Sequence, residues 1–190
     1  MNERNRSIIG KLSGDFLMGR ASNETDDSDK NLEIAKEHLK TGSAVVLFNH
    51  FEGDFFAWAK FMEENLTSLD NITAMVAIKY LDPKRGTAGK VLSFMFPKWE
   101  QSHGVRVLPI VQAKDRARYP DHKRINLASV IKARDFLRTP GHVLAFAPEG
   151  TRSLTKGLGE AEEGVETILK LGKNSIAIPL AALSLSDSQP

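Results

Sequence analysis

The chain has 190 residues, 41% hydrophobic and 26% charged, with a net charge of +2. That is enough for one domain with its own core, too apolar for wholesale disorder, and too near neutral to mark a nucleic-acid binder by charge. There is no cysteine, which excludes disulfides, thiolate metal sites and a cysteine nucleophile.

Residues 1–28 open with mixed polarity and pass into the acidic, Ser/Asn/Asp-rich "ASNETDDSDK", which reads as a linker; residues 29–190 read as one domain. Within 1–28, "SIIGKLSGDFLMG" (7–19) is too short and interrupted for a signal peptide, and no run reaches the roughly 18 apolar residues that cross a bilayer. The expectation is a cytoplasmic protein, at most peripheral on the inner face of a membrane.

Leu32, Ala35 and Leu39 recur at helical spacing and predict a helix over 29–41, ended by Gly42. "SAVVLF" (43–48), a continuous apolar run, predicts a strand buried on both faces. "DFFAWAKFMEENL" (54–66) has a helical period, with Phe55, Trp58, Ala59 and Met62 on one side. "ITAMVAI" (72–78) predicts a second buried strand, and "GKVLSFMF" (89–96) a helix that stops before Pro97. "GVRVLPIV" (104–111) predicts a third strand, which Pro109 places near an edge because proline cannot donate to a ladder. The basic "QAKDRARYPDHKR" (112–124) reads as an exposed loop. "INLASVIKARDFLR" (125–138) predicts an amphipathic helix with Leu127, Val130, Ile131, Ala133 and Leu137 on one face. "HVLAFA" (142–147) is a fourth strand, "GEAEEGVETILKLGK" (159–173) a last helix and "SIAIPLA" (175–181) a fifth strand. Alternation of this kind predicts a single α/β domain, its mostly parallel or mixed central sheet covered by helices on both faces.

In such sheets, sites form at the carboxyl ends of strands. Two strand ends carry chemistry here: "NHFEGD" (49–54) after the first and "PEGTRS" (148–153) after the fourth. A lone histidine at a strand end is more often satisfied by backbone than catalytic. His50, however, follows a buried run directly and has Asp54 four positions on. If a helix starts near Phe51, the two fall on one side, and a carboxylate on one ring nitrogen leaves the other free as a general base. In the second motif Gly150 gives a tight turn, while Thr151, Arg152 and Ser153 supply donors that suit a phosphate. Glu149 would accept from substrate hydroxyls or orient Arg152. A solvated loop with an Arg–Glu pair is the plainer reading of the same residues.

These motifs resemble those of the glycerophospholipid acyltransferases, the family of glycerol-3-phosphate and lysophosphatidic acid acyltransferases. "NHFEGD" resembles their Asn-His catalytic block, and "FAPEGTRS" (146–153) is similar almost letter for letter to their Pro-Glu-Gly-Thr-Arg block. "HGVRVLPIV" stands where the family has a glycine-started strand, and Pro179 where its last block centres on proline; order and spacing agree from about 30 to 182. The resemblance implies transfer of a fatty acyl group from an acyl thioester (acyl-CoA or acyl-carrier protein) to a hydroxyl of a glycerol phosphate or lysophospholipid. It implies His50 as general base oriented by Asp54, and Glu149, Gly150, Thr151 and Arg152 as acceptor-binding residues. It implies no cofactor beyond the acyl donor as co-substrate, no metal and no nucleic acid.

Two departures are specific to this chain. Family members have four residues between the catalytic His and Asp, whereas three separate His50 from Asp54. The family's strand ends in an arginine that helps hold the acceptor phosphate; that place holds Ile110, leaving Arg106, Lys114 and Arg116 as cationic candidates. The chain ends a few residues past the last block, the expectation for a fragment or a short member. "SIIGKLSGDFLMG" and "GKVLSFMFPKW" (89–99) carry apolar side chains flanked by lysines, a pattern compatible with peripheral membrane contact and equally with core packing. The competing classes are a catalytically impaired lipid- or acyl-binding member of the same fold, and a phosphate-ester hydrolase or nucleotide-binding protein. Against the latter stand the missing Gly-x-x-x-x-Gly-Lys-Ser/Thr loop and the lack of a metal-ligand cluster; His103, His122 and His142 read as structural or surface residues.

Overall fold

The computed structural model describes residues 26–48, 54–84, 86–150, 161–162 and 164–180. Ten elements alternate along it: α1 (Asp26–Leu39), β1 (Ser43–Phe48), α2 (Asp54–Asn65), β2 (Ile72–Ala77), α3 (Gly86–His103), β3 (Arg106–Ile110), α4 (His122–Phe136), β4 (Val143–Phe146), α5 (Val165–Leu169) and β5 (Ser175–Leu180). The strands form one all-parallel sheet in the order β3-β2-β4-β1-β5. None of the described helices is long and apolar enough to cross a membrane.

Strand alternation divides the core in two. Ala44, Val46 and Phe48 of β1 join Val143 and Ala145 of β4 on one face, beneath Leu39 of α1 and Trp58 and Met62 of α2. Val45 and Leu144 turn the other way, onto Ala133 and Leu137 at the end of α4, with Ile168 and Leu169 of α5 alongside. Because both faces are covered, β1 and β4 need apolar residues at successive positions, and all four residues of β4 are buried. The continuous runs in the sequence have this cause.

Pro109 sits in β3, which pairs with β2 alone and is a sheet edge, as its missing donor requires. The exit of this edge is covered by α4. Asn126 donates from Nδ2 to Val111 O at 3.0 Å and accepts from Val111 N at 2.8 Å, while Ser129 Oγ donates to Pro109 O at 2.7 Å.

Four expectations are corrected. Helix α3 does not stop before Pro97 but runs through it to His103. Proline removes one N–H and crowds the preceding turn, yet Pro97 lies on the exposed side while its neighbour Phe96 is buried, so packing of the buried face outweighs the local loss. The true stop is Gly104, left-handed at φ 80, whose N–H donates to Glu100 O at 2.9 Å. A Cβ there would meet Asp70 Oδ1 at 1.7 Å, so only glycine fits.

The inward face of α4 is carried by Ser129, Ala133 and Phe136, with Leu137 just beyond; Leu127 is 61% and Ile131 41% exposed, against the expected apolar face. Covering an edge strand demands Asn126 and Ser129 toward β3, which turns Leu127 and Ile131 outward. The last helix is shorter than 159–173: Gly164 has φ 98, incompatible with a continuous right-handed helix, and α5 spans only Val165–Leu169. The segment 112–124 is not wholly an exposed loop either. Asp115 is buried, and α4 already begins at His122.

Two of the three histidines read as structural or surface residues, His122 and His142, have structural partners. His142 stacks on Phe136 at 4.1 Å and donates to Phe136 O at 2.9 Å, and His122 donates to Tyr119 O at 3.2 Å.

This division of the core predicts unequal costs for two leucines. Leu144→Ala, at a fully buried position, is expected to lower unfolding free energy by about 2–5 kcal/mol. Leu127→Ala is expected to stay within about 0.5 kcal/mol of wild type. Urea denaturation of both variants checks the contrast, and equal losses would contradict the packing described.

Candidate active site

The site follows from how two neighbouring strands are connected. β1 and β4 pair in parallel from Ala44↔Val143 to Leu47↔Phe146. After β1 the chain returns through α2, whose Trp58 and Met62 pack on one face; after β4 it returns through α5, whose Ile168 and Leu169 pack on the other. Adjacent parallel strands whose connections leave to opposite faces leave a crevice at their carboxyl ends, the usual ligand position in open α/β sheets. Both sequence motifs begin there. His50 is three positions beyond Leu47 and Glu149 three beyond Phe146, the last paired residues of the two strands.

His50, Thr151, Arg152 and Ser153 lie outside the described residues, as does the geometry of the His50–Asp54 pair. Asp54 opens α2.

The described half of the crevice is built around Glu149 and Gly150. A turn follows β4, with Gly150 N donating to Ala147 O at 3.1 Å and Gly150 left-handed at φ 63. The chain returning toward α5 is tied to it, because Glu162 N donates to Pro148 O at 2.8 Å. Glu149 is buried, 7% exposed, beside Gly150.

A second group of polar residues reaches the same turn from the far half of the sheet. Gln112, two residues past β3 and 6% exposed, donates from Nε2 to the carbonyl of Gly150. Its Oε1 accepts from Lys79 Nζ at 3.3 Å, and Lys79 lies in the 3-10 turn Ile78–Tyr80 that follows β2. Lys114 lies in the 3-10 turn Ala113–Asp115 after β3, on the same side of the sheet and near enough for the Lys79 charge to act on it. Partial burial and then the Lys79 charge hold the Lys114 ammonium below the ordinary lysine value, against the smaller opposing pull of Glu162 and Asp115. One buried amide thus joins the exits of β2, β3 and β4.

Of the cationic residues named in the sequence, Lys114 is on this side of the sheet. Arg106 is not: it begins β3 at the amino end, with its guanidinium 5.5 Å from the Phe136 ring. Arg116 is exposed in the turn beyond Asp115. Lys79 and Gln112 escaped the sequence reading, although the signal was present. In "AIKY" and "IVQAK" polar side chains follow buried runs directly, the same pattern that singled out His50 and Glu149.

The turn makes a stability prediction. Gly150→Ala would hold alanine at positive φ and put its Cβ 2.7 Å from Gln112 Nε2 and 2.7 Å from Glu162 Cγ. The expected loss is about 1–3 kcal/mol, measured by urea denaturation, and an unchanged midpoint would refute the strained turn. Compared with known proteins, the chain matches no family model and no curated protein.

Proposed function

We propose that the chain is an acyltransferase that moves a fatty acyl group from an acyl thioester to a hydroxyl of a glycerol phosphate or lysophospholipid. The observation that carries this reading is the pairing of β1 with β4 at the sheet's crevice, from which "NHFEGD" and "PEGTRS" both depart. Two motifs that resemble one family's catalytic and acceptor-binding blocks start from neighbouring strand ends, as a shared reaction centre requires.

In the proposed reaction His50 takes the proton of the acceptor hydroxyl as its oxygen attacks the thioester carbonyl. The tetrahedral intermediate collapses by breaking the C–S bond, and the leaving thiolate takes the proton back from the imidazolium. No acyl-enzyme forms. Asp54 orients the ring and stabilises its charged form. Glu149 accepts from an acceptor hydroxyl, Gly150 and Thr151 offer donors, and Arg152 pairs with the acceptor phosphate. The acyl thioester is a co-substrate, either acyl-CoA or acyl-carrier protein, and the chain carries no cofactor of its own in this scheme.

Peripheral contact with an anionic membrane surface belongs to the same proposal. Helix α3 leaves Val91 49%, Phe94 63% and Met95 39% exposed, with Lys90 and Lys98 exposed around them and Lys98 Nζ 3.9 Å from the centroid of the Phe94 ring. Apolar side chains bracketed by lysines suit the boundary between headgroups and acyl chains.

Thiol release is to be measured with acyl-CoA and acyl-carrier-protein donors and phosphate-bearing acceptors. His50→Ala is expected to lower acceptor-dependent release about 10²–10⁴-fold. Unchanged release in that variant would remove His50 as the base, and no release with any donor would favour the lipid-binding alternative. For the membrane contact, Phe94→Glu is expected to abolish co-sedimentation with vesicles containing phosphatidylglycerol. Undiminished sedimentation would refute α3 as the contact.

A further inference from the structure

The sheet has two edges, and they are finished differently. At β3 the outward main-chain groups of Pro109 and Val111 are taken by Ser129 and Asn126 of α4, and Arg106 adds a charge to the strand. Outside β5 no strand is paired among the described residues. "SIAIPL" carries no charge, and none of its residues is buried, although Ile176, Ile178 and Leu180 pack against the cluster of Val46 and Phe48. An apolar edge without a charge to guard it is a template for another strand. The register fixes which groups this edge offers. Ser43 N donates to Asn174 O at 3.0 Å and Ala44 N to His142 O at 2.9 Å, so Ser43, Val45 and Leu47 bond toward β5. Their partners Ser175, Ala177 and Pro179 therefore turn their own main-chain groups outward. Pro179 stands at one of these outward positions, where its missing N–H takes nothing from the ladder with β1.

We infer that the outer edge of β5 pairs antiparallel with β5 of a second copy of this chain, about a two-fold axis at Ala177. In this arrangement the two Ala177 residues exchange N–H···O bonds, and Ser175 N–H of each copy donates to Pro179 O of the other. Each copy forgoes only the donor that proline lacks. The contact is self-complementary and closes at two copies. Helix α1 supplies a second fit. It packs on β1 and β5, and its β5 side is marked by His38, which donates to Asn174 O at 3.2 Å. Lys30, Ile34 and Glu37 recur on that side at helical spacing. Ile34 is 57% exposed, and Lys30 and Glu37 are exposed on either side of it. The axis lays α1 antiparallel beside its copy, Ile34 against Ile34, which brings Lys30 of each toward Glu37 of the other. An apolar centre is thus flanked at both ends by opposite charges.

Sedimentation velocity of the full chain over a concentration series measures the assembly. Wild type is expected to reach a dimer and no larger species. Ala177→Pro removes the central donors while leaving the bonds to β1 in place, and is expected to raise the dimer dissociation constant about tenfold or more. Ile34→Lys acts on the helix contact alone and is expected to shift it the same way. Lys30→Glu and Glu37→Lys are each expected to weaken the dimer a few-fold, and the double variant to recover wild-type association, a rescue that separate effects on folding would not give. Circular dichroism and urea denaturation establish that each variant is folded. The chain has no cysteine, so Ala177→Cys places one thiol on each copy, which a short bismaleimide is expected to join. Leu127→Cys, exposed on α4, is expected to stay unlinked.

A wild type that sediments as a monomer at every concentration overturns the inference, the result expected if another part of the same chain takes the edge. A dimer that withstands both Ala177→Pro and Ile34→Lys, or that grows into open-ended assemblies, overturns the two-fold pairing. Should Ala177→Pro fail to fold, Ile34→Lys and the charge exchange decide the matter. The inference does not rest on the acyltransferase reading: thiol release, present or absent, leaves the edge pairing untouched, and a monomer leaves the reaction untouched.

Discussion

Everything in this fold that bears on function depends on the parallel ladder between β1 and β4. Its four pairs, Ala44↔Val143 to Leu47↔Phe146, build both hydrophobic clusters at once, because successive residues of each strand turn to opposite faces. Its direction sends both chains out on one side. A slip of one residue would exchange the faces of Val45 and Val46, so the packing that stabilises the sheet also fixes which residues reach the crevice. Core and site are therefore set by one register.

The far half of the sheet is coupled to that crevice by packing, with Leu108 of β3 buried against Leu144 and Phe146, and by hydrogen bonds at the strand exits. β2 pairs with β4 through three residues only, Ile72↔Val143 to Ala74↔Ala145, and the last three residues of β2 have only β3 beside them. The gap is spanned by Gln112. A buried amide without partners would cost more than its bonds return, but Gln112 uses both ends, on Lys79 and on Gly150. The edge strand β3 is thus held at its exit from two directions, by Asn126 of α4 and by the turn after β4.

The strands were legible in the sequence almost to the residue, because a sheet covered on both faces writes its demand into every position, as "SAVVLF" and "VLAF" do. Helices were less legible, because a helix shows only what one stripe must satisfy. Leu127 and Ile131 fit an apolar period, but the polar needs of an edge strand chose Asn126 and Ser129 to face inward instead. Pro97 reads locally as a stop and Gly164 as an ordinary helical residue. The burial of Phe96 overrides the first reading, and a positive φ contradicts the second. The position of Glu149 and Gly150 in a turn at a strand end was legible from the sequence. Lys79 and Gln112 were not, since their meeting depends on the order of strands that are not consecutive in the chain.

An apolar residue at Ile110 has a physical account in this topology. Strand alternation puts Ile110 on the face of Leu108, the face covered by α4, and Ile110 is the last residue of an edge strand paired with Ala77. A guanidinium at that position would have to leave an apolar layer to reach the crevice, and its desolvation would oppose binding. Four residues later the chain has passed the strand end and turned through Ala113–Asp115, where Lys114 is exposed and free of the layer. At this end of the sheet the positive charge stands in the turns that follow β2 and β3, on Lys79 and Lys114. Such a pair is sensitive to whatever sets the distance between the ends of β2 and β3, and Gln112 is the side chain that ties those ends to the turn carrying Glu149 and Gly150.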